Sequence, residues 1–351
     1  MVEQTAKRLK IEPPKIGTHN GHFHADEALA VYLLRLLPSY RESTLIRTRD
    51  PTLLETCQIV VDVGGEYSPT NNRYDHHMRT FTTTFPNHAT KLSSAGLVYM
   101  HFGKDIIAQR TGLKEDNEDI KLLYEKIYSG FIEALDANDN GISVYDPAQT
   151  QGLQKRFNDS GINLGSLVGD INSNQSESTD KNVSREELQQ EEDKRFLEAS
   201  NLMGTVFLRK LDYYHQAWLP ARAGVYKVFE TRRDIDPQGR IMVLPRSLPW
   251  KDHLYTVEEA SGTTDAEKVL YVLYPEGPQE GAKWRIQAVS VTKDSFQSRK
   301  PLPEKWRGVR DEDLDKVTGI EGCVFVHASG FIGGNKTFEG VKTMALQAVD
   351  I

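Results

Sequence analysis

The 351-residue chain reads as an α/β protein of two domains, each with its own sheet. Three observations predict this. Through the first 135 or so residues, short apolar runs that fit buried strands alternate with helical patterns, the order that gives a largely parallel sheet covered by helices. A polar stretch, Asn172 to Ser178, then breaks the pattern. Beyond it the chain turns to β-rich segments closed by a last helix, an α+β pattern in a smaller second domain.

The elements follow in order. Ile16 to His19 ends a short buried strand. Asp26 to Leu37 is a helix, with Ala28, Leu29, Leu33, Leu36 and Leu37 near helical spacing, and Pro38 stops it. Leu45 to Thr48 fits a second strand. Ile59-Val60-Val61-Asp62-Val63, broken by Gly64-Gly65, has the nearly continuous apolar character of a strand buried on both faces. Ala95 to Arg110 and Asp119 to Leu135 read as helices. This bounds a first domain at 16–165. Residues 166–184 read as a polar linker, and 185–351 as a second, α+β domain, with a cleft expected between the two. Ser184-Arg185-Glu186-Glu187 has capping-box spacing, so a long helix should run to about Leu219, where Pro220 ends it. Ala223 to Glu230, Ile241 to Leu244, Val269 to Tyr274, Trp284 to Val291 and Gly322 to His327 read as β segments, and Thr337 to Val349 as the last helix.

Composition bounds the class. With 38% hydrophobic and 26% charged residues the chain can bury ordinary cores, which argues against wholesale disorder. No apolar run approaches the ~18 residues of a membrane span. Cys57 and Cys323 lie far apart, and no secretory segment opens the chain, so they read as reduced thiols of an intracellular protein. A net charge of -7 argues against coating nucleic acid, but not against a local basic channel. Lys7, Arg8 and Lys10 stand between Glu3 and Glu12 and read as a basic tail rather than a targeting signal.

Gly17-Thr18-His19-Asn20-Gly21-His22-Phe23-His24-Ala25-Asp26-Glu27 and Arg73-Tyr74-Asp75-His76-His77 carry most of the chemistry. His19 and His24 flank a loop from a strand into a helix, at the carboxyl edge where open α/β sheets bind ligands. Asp26 could cap the helix or bind metal. Asp62 is an acid inside an apolar strand, costly to bury unpaired, and a cation is its natural partner. A metal-binding imidazole has its far nitrogen held by a second group, so Asp75 could orient the ring while His76 reaches the ion. Asp136, in Asp136-Ala137-Asn138-Asp139-Asn140-Gly141, could belong to an ordinary turn or supply the remaining carboxylate, with Asp139 the alternative. Mixed imidazole and carboxylate donors suit Mn²⁺, Fe²⁺ or Zn²⁺, and two ions sharing a ligand suit phosphate-ester hydrolysis. His88, His101, His215 and His253 read as packed or surface residues.

In the second half, Gly330-Phe331-Ile332-Gly333-Gly334-Asn335-Lys336 runs from a strand into a helix. A glycine turn at a helix N-terminus makes an anion pocket, and His327 and Lys336 flank it. Arg299 and Lys300, with Lys293, Lys305, Arg307 and Arg310, form a basic cluster fit for a phosphate backbone. Trp306 or Phe331 could stack on a base, or sit in a core.

The motif order His…Asp, Asp, Asp-His-His, Asp resembles the DHH phosphoesterase superfamily. Gly17 to Ala30, Ser298 to Gly308 and Val326 to Thr337 resemble more closely the melanocyte-proliferating-gene (Myg) exonuclease family within it, and the likeness spans about residues 16 to 349. The resemblance implies a DHH-type N-terminal domain and a 3′→5′ RNA exonuclease that uses two divalent ions, Mn²⁺ or Mg²⁺. It implies single-stranded RNA 3′ ends as substrate and nucleoside monophosphates as product. Nucleus or mitochondrion is the implied place, with cytoplasm and a homo-oligomer both open. His19 and His24 would serve one ion and Asp26, His76 and Asp136 the other, with Asp62 shared; Asp75 and His77 would assist the chemistry. Arg299, Lys300, His327, Ser329, Gly333, Gly334, Asn335 and Lys336 would hold substrate. His24 departs from the wider pattern, which often has aspartate there, and lies one residue further from His19, so His22 stands as its substitute. Two rivals share these residues: an inorganic pyrophosphatase or small phosphoester phosphatase, favoured by Ser298-Arg299-Lys300, and a non-catalytic metal- or RNA-binding module.

Overall fold

A computed structural model describes residues 12–173 and 183–351. The Lys7 to Lys10 tail and residues 174–182 of the expected linker lie outside them. The chain divides into two compact units, one up to Tyr214 and one from His215.

The first unit runs β1 (Lys15–Thr18), α1 (Ala25–Leu36), β2 (Thr44–Arg47), α2 (Pro51–Glu55), β3 (Ile59–Val61), β4 (Tyr67–Ser68), β5 (Arg73–Tyr74), α3 (Ser94–Thr111), α4 (Glu118–Ile127), α5 (Glu133–Asp139), α6 (Pro147–Thr150), α7 (Leu164–Ser173) and α8 (Arg185–Tyr213). Its sheet has the order β2-β1-β3-β5-β4, parallel except for the β4 edge. Ile16, Ile59, Val60 and Val61 are fully or almost fully buried, as strands need when helices cover both faces. Leu54 and Cys57 of the α2 segment pack on one side with Val60 and Val63. Contacts of α1 with β3 and of α3 with β5 bring further helices to the sheet. The expectation of a largely parallel sheet in an α/β domain matches this architecture.

The helix α8 starts as its capping box dictates: Ser184 Oγ accepts from the Glu187 N–H at 3.2 Å and Glu187 accepts from the Ser184 N–H at 2.8 Å. Its stripe Phe196, Ala199, Met203 and Phe207 is buried, and the helix packs on α1 and α7. This corrects the expected domain limits. A helix read as opening the second domain belongs to the first, because its apolar face is buried there. Residues 164–173, placed partly in the linker, form α7 instead.

The second unit contains α9 (Leu219–Glu230), β6 (Ile241–Val243), α10 (Lys251–Ala260), β7 (Tyr271–Pro275), β8 (Trp284–Ala288), α11 (Asp311–Thr318), β9 (Cys323–Val326), β10 (Ile332–Asn335) and α12 (Phe338–Asp350). The sheet order is β6-β7-β8-β10-β9, antiparallel except for the β6–β7 pair. Alternation along β7 feeds two cores. Tyr271 and Leu273 join Val341, Met344 and Ala345 of α12, while Val272 joins Val225, Phe229 and Leu254 of α9 and α10.

Two local expectations are corrected here. Ala223 to Glu230 is helical, because Val225 and Phe229, one turn apart, are both needed on the same buried face. Pro220 sits in the first turn of that helix, where its missing N–H costs little, rather than ending the one before. Gly333 and Gly334 lie in β10, not in a turn. A Cβ on Gly333 would stand 2.9 Å from the Phe325 carbonyl, and one on Gly334 2.8 Å from the Trp284 carbonyl. These glycines permit close strand approach.

Candidate metal centre

Three adjacent parallel strands, β1, β3 and β5, end at one edge of the first sheet. The residues after those ends are His19, Asp62 and Asp75-His76-His77. Parallel pairing therefore turns three separated motifs into one place. The helix α1 adds Asp26 and Glu27 from its first turn, where the helix dipole favours negative charge. The C-terminal end of α5 adds Asp139. Asp62 holds φ of 60°, the left-handed region that Asp tolerates better than most residues.

Asp62 stands at the middle of the cluster. One oxygen, Oδ2, lies 3.3 Å from His19 Nε2, and the other, Oδ1, lies 3.1 Å from His76 Nε2. His19 Nε2 is also 3.0 Å from Glu27 Oε1. His76 Nε2 is 3.2 Å from Asp139 Oδ2 and 4.0 Å from Asp26 Oδ2. His24 offers a ring nitrogen within 4.8 Å of ligand atoms of Asp26 and Asp139, and likewise of His19 and Glu27. Asp26, Glu27, Asp62, His19 and His76 are all buried. A cavity of about 560 Å³ opens on the cluster, walled by His22, His24, Asp26, His76, His77 and Asp139 among others.

The electrostatics show what the cluster needs. Burial pulls the His19 imidazole down, but hydrogen bonds with Asp62 and Glu27 outweigh it and lift the group to about 10. Burial likewise opposes His76, and Asp62 and Asp26 lift it above its ordinary value. Burial and the neighbouring Asp26 push Glu27 well up, and the same two causes lift Asp139. Protons thus gather where negative charge is crowded. Asp26 Oδ1 and Glu27 Oε2 are buried without a hydrogen-bond partner, a costly state that a bound cation would relieve. The oxygen and imidazole donors fit a divalent metal of the Mn²⁺, Fe²⁺ or Zn²⁺ type.

The structure sorts the expected residues. His19, His24, Asp26, Asp62 and His76 come together. Asp136 does not join them. Its Oδ1 accepts from the Ser93 N–H at 2.9 Å, the Ser93 hydroxyl at 2.7 Å and the Gly96 N–H at 3.1 Å, and its Oδ2 from the Tyr128 hydroxyl at 3.1 Å. Gly96 makes this approach possible, since a Cβ there would lie 2.3 Å from Asp136 Oδ1. These four donors hold Asp136 away from the cluster, and Asp139 stands beside His76 instead. Sequence reading missed Glu27 as a possible ligand. Glu27 accepts from the His24 N–H at 2.8 Å, as part of the cap of α1.

Asp75 orients a different ring from the one expected. Its Oδ1 lies 2.7 Å from His77 Nδ1 and accepts the N–H groups of His76 and His77 at 2.7 and 3.1 Å. Its Oδ2 accepts from the Gly65 N–H at 2.6 Å. Burial raises this carboxyl, but the His77 ring and these N–H groups outweigh it and hold it at about 2. The His77 side chain is 63% exposed, so the Asp75–His77 pair presents an oriented imidazole to solvent beside the cluster. His22 packs on His24 with ring centroids 5.3 Å apart.

The loop that carries His19 and His24 is itself tethered. Arg47 donates to the Gly21 carbonyl at 2.8 Å and to Glu192 of α8 at 2.7 Å, and Glu192 accepts from the Gly21 N–H at 2.7 Å. The guanidinium sits 5.3 and 4.7 Å from the rings of Phe23 and Phe196.

Several residues expected to hold substrate in the second unit are otherwise engaged. Arg299 makes a bidentate pair with Glu258 at 2.8 and 2.7 Å and donates to the Val269 carbonyl. Lys300 Nζ donates to the Val349 carbonyl at 2.7 Å. Asn335 is fully buried, bonding the Glu321 carbonyl and the Thr337 N–H. Trp306 is a core residue. His327, Ser329, Phe331 and Lys336 are exposed, with the His327 ring 2.8 Å from the Ser329 hydroxyl and edge-on to Phe331.

An α/β unit that gathers imidazoles and carboxylates at the carboxyl edge of its parallel strands carries a group of side chains that could hold a metal ion. The chain belongs to the MYG1 exonuclease family. The family model, described as "Uncharacterised protein family (UPF0160)", matches residues 15–349. The human protein named MYG1 exonuclease is 46% identical over 340 residues, 95% of this chain and 85% of the human one. The MYG1 protein of Schizosaccharomyces pombe is 45% identical over 342 residues, 96% and 97% of the two chains. That of Saccharomyces cerevisiae is 42% identical over 345 residues, 97% and 98%. The family supports a nuclease or phosphoesterase. Among the described residues, no helix is long and apolar enough to cross a membrane.

Proposed function

We propose that this chain is a 3′→5′ RNA exonuclease that hydrolyses the terminal phosphodiester bond with two divalent cations, Mn²⁺ or Mg²⁺, and releases nucleoside monophosphates. The observation that carries it is Asp62, which directs one carboxylate oxygen at His19 and the other at His76, in a chain whose relatives include a human protein named exonuclease. His19, His24 and Glu27 would hold one cation and Asp26, His76 and Asp139 the other, with Asp62 shared between them. Bound there, the cations would activate water and draw charge from the phosphate oxygens.

The chain's own residues do the rest. Asp75 fixes the Nδ1 side of His77, which leaves Nε2 to meet a phosphate oxygen or to give a proton to the departing oxygen. Of the residues expected to hold substrate in the second unit, His327, Ser329 and Lys336 are exposed and stay available to RNA. Phe331, 38% exposed, is the ring available for stacking. The internal pairing of Arg299 and Lys300 weighs against the pyrophosphatase reading, since those side chains were its signature. A nuclear or mitochondrial place of action goes with this reading.

The test uses a 5′-labelled single-stranded RNA and the Mn²⁺-loaded protein. Stepwise shortening of the labelled strand from its 3′ end with release of nucleoside monophosphate, abolished by Asp62→Asn and by His76→Ala in folded protein, supports the reading. Undiminished release in either variant, or faster hydrolysis of pyrophosphate than of RNA, overturns it.

A further inference from the structure

A second cavity reaches the metal cluster. It has a volume of about 270 Å³, with His19, Asp62 and His77 on its wall beside His22, Arg49 and Gly64. Arg49 is the only lysine or arginine among its lining residues, and the side chain is exposed to that space. Among the described residues its guanidinium makes no hydrogen bond and no ion pair. The contrast with Arg47, two residues earlier, is sharp: Arg47 is buried and bonded to Glu192, Asp193 and Gly21.

The acids nearby explain why Arg49 stays open. Asp62 is already set between His19 and His76. Asp75 is saturated by the His77 ring and the N–H groups of Gly65, His76 and His77. Asp50, the next residue, caps α2 by accepting from the Thr52 N–H at 2.9 Å. A guanidinium carries five donors and no acceptor. Here it faces a cavity whose lining carboxylates, Asp62 and Asp75, have other partners, so it is free to donate to a group from outside the chain. A planar fork of donors matches a phosphate group.

We propose that Arg49 grips a phosphate oxygen of the substrate within this cavity, a role the sequence had suggested for Arg299 and Lys300. The proposal rests on the phosphoester-hydrolysing reading and adds a residue to it. Arg49 binds and orients the phosphate and stands outside the metal-ligand set.

The experiment compares wild type, Arg49→Lys and Arg49→Ala, all Mn²⁺-loaded. Calorimetry measures adenosine 5′-monophosphate binding with adenosine as control, Mn²⁺ affinity is measured separately, and RNA kinetics give KM and kcat. Arg49→Ala should weaken monophosphate binding and raise KM by about 10- to 100-fold, the scale of one lost hydrogen bond to a charged group. Arg49→Lys should fall between, with adenosine binding and Mn²⁺ affinity unchanged. Undiminished monophosphate affinity in Arg49→Ala, or no monophosphate binding by wild type, overturns the proposal even where RNA is degraded. Equal loss of Mn²⁺ affinity overturns it too, by assigning Arg49 to the support of the ligands. Selective loss of monophosphate affinity in a protein that degrades no RNA would sink the exonuclease reading and leave Arg49 as a phosphate site.

Discussion

The Ser94 hydroxyl donates to Oδ2 of Asp26 at 2.7 Å, and its neighbour Ser93 donates to Asp136 at the same distance. Two adjacent serines at the start of α3 thus take one carboxylate each. Ser94 holds Asp26 by one oxygen and leaves Oδ1 buried and unpartnered beside the cluster. Ser93 holds Asp136 out of it.

Removing the Ser94 hydroxyl should loosen Asp26 without unfolding the protein. Ser94→Ala is expected to lower Mn²⁺ affinity by roughly 10-fold, the low end of the range for partners that orient metal ligands. Ser94→Thr keeps the hydroxyl and should restore most of it. Isothermal calorimetry on metal-free protein checks this, and equal affinities for all three proteins would refute the role.

Asp136 and Asp139 should separate cleanly. Asp136→Ala leaves four buried donor groups without their acceptor, at a cost of about 3 kcal/mol or more. For a unit of this size that lowers Tm by roughly 10 °C. Asp139→Ala removes a carboxylate crowded by Asp26, so it should hold or raise the Tm of metal-free protein while losing Mn²⁺ binding. Thermal melts and metal titrations of the two variants would contradict this assignment if their behaviours were exchanged.

Arg299 should prove structural. Arg299→Ala leaves Glu258 buried without its bidentate partner, a loss of about 3 kcal/mol, and Arg299→Lys should recover little because lysine cannot reproduce the fork. The KM for RNA of the folded protein should move by less than about twofold, within the ordinary scatter of a site that touches no substrate. A large rise in KM at unchanged Tm would show that the residue meets RNA after all.

The Asp236–Arg240 pair gives a pH signature away from the metal centre. Hydrogen bonds from the Arg240 guanidinium, at 2.7 and 3.0 Å, hold the Asp236 carboxyl below its ordinary value. A depressed carboxyl in the folded state contributes stability that is present above the unfolded value, about 3.9. That contribution is lost as pH falls through the folded value. Urea unfolding of wild type and Asp236→Asn should therefore differ most above pH ~5, with the gap closing below about 4. A gap that widened in acid would reverse the sign and reject the account.

The candidate site was legible because its residues lie in dense motifs at strand ends, where an acid such as Asp62 in an apolar run has few innocent explanations. The choice between Asp136 and Asp139 was not. Both lie on one helix, and three residues of helix bring them close to the same face; Ser93 and Gly96, some forty residues earlier, decide which one turns inward. Arg299 announced its charge in the sequence, but its partner Glu258 is 41 residues away. Glu27 carried no signal of its own beyond a place in the first turn of a helix, and only the placement of His19 against it reveals its contact with the cluster.

By itself the sequence determined the alternation of strands and helices, the metal-type donors and the family, because these depend on local periodicity and on residue types in fixed short spacings. Tertiary structure alone decided that β1, β3 and β5 align their ends, that Ala223 to Glu230 coils instead of extending, and that Arg49 rather than Arg299 keeps an open guanidinium. Each of those outcomes depends on partners distant in the chain. A side chain's burial and pairing are set by what folds against it.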